Sequence, residues 1–125
     1  MTINNSLVFG SEPIRIKWNI VRGDSSSIAI DFLNNDEVTG FDTTGWEYTA
    51  TAYDAKTDTA YDLEIEAEGH SLLVTATSDI TSEWGIGFAP YVAELLFDVQ
   101  VTNGDSVWTP IVGFINVSVD VSGAI

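Results

Sequence analysis

Cysteine is absent from this 125-residue chain, and histidine, methionine and proline number one, one and three. Without cysteine there is no disulfide, no thiolate nucleophile and no Cys-rich zinc site. The length predicts one domain that buries roughly two-thirds of the surface its unfolded form exposes, so packing alone can hold it. Positive charge is scarce as well. Four basic residues stand against nineteen acidic ones, for a net charge of −15, which argues against capture of nucleic acid or of an anionic membrane surface. Two accounts of the acidity stay open: solubility with resistance to self-association, or life at high local concentration or in saline surroundings. The opening Met1-Thr2-Ile3-Asn4-Asn5-Ser6 has no basic region and no long apolar run, so neither a signal peptide nor a membrane span is expected.

What the chain has in plenty is alternation. Phe97, Val99 and Val101 alternate with Asp98, Gln100 and Thr102, Asn103-Gly104 intervenes, and Ile115, Val117, Val119 and Val121 resume the pattern. A side-chain period of two with Asn-Gly between the halves predicts a β-hairpin, the Asn-Gly pair supplying positive φ angles. Seven strands are expected in all, over 14–21, 27–33, 46–53, 60–67, 71–77, 91–102 and 112–121, the last two forming that hairpin. The segment from Ser78 to Trp84, ahead of Gly85, reads as one helical turn capped at Ser78 or Asp79. Residues 85–90 read as an apolar loop. The predicted fold is all-β: an antiparallel, Ig-like β-sandwich of about seven strands with one short helical turn, spanning 14–125. Residues 1–13 read as an extended arm whose apolar triplet, Leu7-Val8-Phe9, either folds back on its own sandwich or docks on a partner.

Groups suited to catalysis are few. His70 lies in a predicted hairpin turn beside Gly69, where a general base would lack supporting residues. A Ser/His/Asp triad would need that same histidine. Carboxylates are abundant enough for a glycosidase pair, but Asp62, Glu64, Glu66 and Glu68 alternate with Tyr61, Leu63, Ile65 and Ala67, as on the wet face of a sheet. The acidic loop Asn34-Asn35-Asp36-Glu37, flanked by Asp31 and Asp42, is a weak calcium candidate without EF-hand spacing. Arg22-Gly23-Asp24 reads as a turn between strands rather than an adhesion motif. No enzymatic activity, cofactor or metal is therefore expected.

Surface contact remains. Three of the four basic residues, Arg15, Lys17 and Arg22, lie within eight positions; with Ile14, Ile16, Trp18 and Ile20 facing the core, Arg15 and Lys17 emerge side by side on the other face. Trp18 and Trp46 fall in phase with the core, whereas Trp84, Phe88 and Trp108 fall in or beside loops, as lids over the sandwich or as anchors for a partner or a sugar. Partner contact is thus assigned to Leu7, Val8, Phe9, Arg15, Lys17, Arg22, Trp84, Phe88 and Trp108. Carbohydrate binding through Trp84 and Trp108 is the alternative to a protein partner.

The order of motifs resembles a known family. Arg22-Gly23-Asp24 leads into the strand Ile28 to Phe32, Thr44-Gly45-Trp46 opens the next strand, and a short helix precedes Gly85. Then come Phe97-Asp98-Val99-Gln100-Val101-Thr102-Asn103-Gly104 and Val117-Ser118-Val119-Asp120-Val121. Together these are similar to the small β-sandwich at the N-terminus of bacteriophage upper-baseplate and tail-fibre proteins, over about Ile14 to Ser122. Thr43 stands where that family has leucine. The resemblance implies a non-enzymatic virion attachment module, assembled in the host cytoplasm. Its implied partners are other subunits of tail, baseplate or capsid, and copies of itself in a symmetric assembly.

Overall fold

The computed structural model describes residues 2–6, 13–33, 43–84 and 93–118, with backbone alone for 2–6 and 33. Nine strands and one helical turn lie among them: β1 (Thr2–Ser6), β2 (Ile14–Val21), β3 (Ser26–Leu33), β4 (Glu47–Asp54), β5 (Thr59–Asp62), β6 (Glu64–Glu68), β7 (Ser71–Ala76), α1 (Ser78–Thr81), β8 (Ala93–Asn103) and β9 (Ser106–Ser118). They form a four-stranded sheet in the order β1-β3-β7-β6 and a five-stranded sheet in the order β2-β9-β8-β4-β5. The fold is an all-β sandwich.

Alternation places the core between the sheets. Ile28, Ile30 and Phe32 of β3, with Leu72, Val74 and Ala76 of β7, share one buried cluster with Trp18 and Ile20 of β2, Leu95, Phe97, Val99 and Val101 of β8, and Trp108, Ile111, Ile115 and Val117 of β9. Aromatic rings tie the layers together. Phe32 meets Trp46 edge-on at 5.3 Å between ring centroids and lies 6.3 Å from Trp108, and the Trp18 indole donates from Nε1 to Ser26 Oγ at 2.9 Å. Such pairs add specific geometry to the burial of large apolar surfaces.

Several expectations need correction. Pairing is mainly antiparallel, but β1 runs parallel to β3 and β2 runs parallel to β9. Thr2–Ser6, within the segment read as an arm, is thus a sheet strand; Leu7, Val8 and Phe9 lie outside the described residues. The expected strand over 60–67 is two strands in different sheets. Leu63 donates its N–H to the Ala50 carbonyl at 2.9 Å, extending the β4–β5 ladder by one bond, after which the chain pairs with β7 instead. Alternation survives the change of sheet, because Leu63 is buried and Ile65 half-buried, so hydropathy alone gave no sign of the break.

The β8–β9 hairpin is tighter than expected. Asn103 pairs with Ser106, leaving Gly104-Asp105 as a two-residue connection in which Gly104 alone takes positive φ, at 62°, as in a turn with glycine first. Strand β9 therefore begins well before Val112. It reverses phase at a bulge, since Val101 faces Trp108 whereas Val99 faces Ile111. Pro110 sits in that extra step, where its missing N–H does least harm, and both Pro110 and Ile111 are buried. Val119 and Val121 lie outside the described residues.

Helix α1 is capped by the extended Thr77 rather than by Ser78 or Asp79, without a side-chain cap bond. Beneath it, the fully buried Thr81 hydroxyl donates to the Asp24 carbonyl at 2.8 Å and accepts the Gly23 N–H at 3.1 Å. Arg22-Gly23-Asp24 is accordingly a clamped turn, closed by Asp24 N–H to the Val21 carbonyl at 3.0 Å.

Candidate docking face on the five-stranded sheet

The outward side chains of the five-stranded sheet form transverse rows. Arg15, Val112, Asp98, Thr51 and Asp62 stand opposite one another across β2, β9, β8, β4 and β5; the next row reads Lys17, Phe114, Leu96, Tyr53 and Ala60. Strands lie about 4.8 Å apart, so the cationic end of each row is about 19 Å from the β5 end. Leu96 and Phe114 are direct cross-strand neighbours and are 49% and 42% exposed. With Arg15, Thr51, Tyr53 and Asp98 they line an open groove of about 340 Å³.

Apolar walls shape its electrostatics. Burial pushes the Asp98 carboxyl above its ordinary pKa, because a partly dry site disfavours the anion. Tyr53 Oη donates to Asp58 Oδ1 at 2.5 Å. That bond, followed by burial and the charges of Asp58 and Asp54, raises the phenol's pKa. The face thus sets an exposed apolar pair beside two exposed cations, on a chain whose net charge is −15.

Of the residues assigned to partner contact, Arg15 and Lys17 are exposed on this face and Arg22 is half-buried in the turn beyond it. Phe88 lies outside the described residues. Trp84 and Trp108 correct the sugar-stacking expectation, being 0% and 5% exposed. Trp108 belongs to β9 and packs on Trp46; Trp84 packs edge-on against Tyr61 at 5.9 Å. Neither indole offers a face to a solute. His70 is half-buried in the β6–β7 turn and accepts the Phe32 N–H at its carbonyl, 2.9 Å away. Of the calcium candidate, only Asp31 is described, and it accepts a hydrogen bond from Ser71 Oγ at 2.7 Å. No group of three or more acidic or histidine side chains is placed to hold a metal among the described residues.

Sequence reasoning missed Leu96, Val112, Phe114 and Tyr53. A signal was present. In the run Leu95-Leu96-Phe97, and again in Phe114-Ile115, strand geometry forces adjacent apolar residues onto opposite faces, so one of each must meet solvent.

The class defined by the fold is an all-β sandwich. No family model and no curated protein matches the chain in sequence. Among solved structures, the N-terminal domain of phage TP901-1 ORF48 is similar at a TM-score of 0.42 and 12% identity, over 95% of this chain and 94% of that one. A likeness that distant transfers no role.

Proposed function

We propose that the protein is a non-enzymatic attachment or assembly module of a bacteriophage virion, docking in several copies on tail, baseplate or capsid subunits through the outer face of its five-stranded sheet. The observation that carries the docking mode is the exposed Leu96–Phe114 pair beside Arg15 and Lys17. Apolar anchors at the centre of such a patch supply affinity, and flanking charges supply orientation. The virion setting rests on the order of sequence motifs from Arg22-Gly23-Asp24 to Val121. Strong acidity keeps unassembled subunits soluble in this reading.

The test is reconstitution. Particles assembled without the chain are mixed with purified protein, wild type or Leu96→Asp/Phe114→Asp, and imaged. Regular density with wild type and none with the folded variant is the expected result. Regular density with both would remove the face from the proposal, and a protein that binds no particle but saturably binds a glycan would overturn the virion role.

A further inference from the structure

Strands β2 and β6 are edges of their sheets among the described residues, β2 paired only with β9 and β6 only with β7. An edge strand presents a row of backbone N–H and C=O groups that another strand can complete. The two edges match in period and oppose in sign. On β2, Arg15 and Lys17 are exposed on the outer side while Ile14 and Ile16 pack toward the core; on β6, Glu64, Glu66 and Glu68 are exposed while Ile65 packs toward the core. All three isoleucines remain only half-buried. Side chains two residues apart on a strand are about 6.8 Å apart, so cations spaced by two meet carboxylates spaced by two.

We infer that β2 of one copy adds to β6 of a second copy, joining a five-stranded sheet to a four-stranded one, with Arg15 and Lys17 laid against Glu64, Glu66 and Glu68 and the half-buried isoleucines covered beneath. Charge selects the occupant. Copies of a chain with net charge −15 repel one another over most of their surface, and β2 is where that repulsion becomes attraction. A lysine on an exposed edge ordinarily keeps strands apart; a glutamate edge of the same period reverses that effect. Because the two patches differ, the contact is heterologous. Each added copy leaves one further β2 or β6 edge open, so association continues to a ring or a filament.

The contact deepens the several-copies part of the proposed function, and it is tested on purified protein without any particle, so the two can fail separately. Light scattering of the wild type at low salt is expected to show mass rising with concentration. Arg15→Glu/Lys17→Glu and Glu64→Lys/Glu66→Lys should each remain monomeric, with circular dichroism and urea midpoints reporting intact folds. Mixing the two variants restores opposite charge at the junction and should restore association. The chain has no cysteine, so Asn19→Cys mixed with Glu64→Cys or with Glu68→Cys should, in one of the two mixtures, cross-link under mild oxidation several-fold above either variant alone. A wild type still monomeric at about 1 mM, where a Kd of that size would leave much of the chain associated, overturns the inference. So does a mixture of folded charge-reversed variants that stays monomeric.

Discussion

A β-carbon added at Gly113 would stand 2.0 Å from the carbonyl oxygen of Ile16. The two residues are partners in the parallel β2–β9 pairing, so the obstacle is backbone and cannot rotate away. Space, not conformation, reserves this position for glycine. Gly113→Ala is expected to push β2 off β9 and to cost about 3 kcal/mol, the upper end for overpacking, read as a lower urea midpoint. Because β2 carries Arg15 and Lys17, the variant should also lose particle binding. An unchanged midpoint would mean that β2 does not lie against β9 at this register.

Thr81 tests the clamp under the Arg22-Gly23-Asp24 turn. Its buried hydroxyl serves the Gly23 N–H and the Asp24 carbonyl at once. Thr81→Val keeps the shape and leaves both backbone groups without a partner, at about 1–3 kcal/mol for such a loss. Thr81→Ser keeps the hydroxyl and should lose less than Val does. Equal losses in the two variants, measured by urea unfolding, would assign the effect to packing instead of hydrogen bonding.

Strand phase was legible wherever one face is wet. Trp18 and Ile20 against Arg15 and Lys17, and Phe97, Val99 and Val101 against Gln100, read correctly because burial follows a period of two. What escaped was what alternation does not encode. The change of sheet at Leu63 keeps the period unbroken, the parallel pairing of β2 with β9 is non-local, and the bulge at Pro110 reverses phase inside a single strand. That reversal is why Trp108, placed beside a loop in the sequence, is a core residue. Leu96 and Phe114 escaped for a related reason: alternation sets each beside core residues of its own strand, and only the β8–β9 pairing brings the two side by side.

Asp98 gives the face a pH signature. Its pKa is raised in the folded protein by burial, so the native state holds the proton more tightly than the unfolded chain does. Stability attributable to this group is therefore fully present below the ordinary carboxylate pKa, declines as pH rises toward the raised value, and is gone above it. Asp98→Asn removes the titration, and the expected outcome is a higher urea midpoint at neutral pH with little change well below pH 4. A variant less stable than wild type at neutral pH would show that the carboxylate gains more from its neighbours than burial takes away.

Trp108 separates a core role from a sugar platform. Its ring lies 6.1 Å from Trp46 and 6.3 Å from Phe32 between centroids, joining β9 to the opposite sheet. Truncation removes that contact and leaves a cavity between the layers, so Trp108→Ala is expected to lose about 3–5 kcal/mol and to flatten the near-ultraviolet circular dichroism of the coupled aromatics. Trp108→Phe retains an aromatic ring and should recover part of the loss. A sugar platform predicts the reverse: a Trp108→Ala variant as stable as wild type, with glycan binding abolished. Unfolding curves of the two variants beside a glycan titration of the wild type decide between them, because a residue that carries the sandwich cannot be removed without shifting the midpoint.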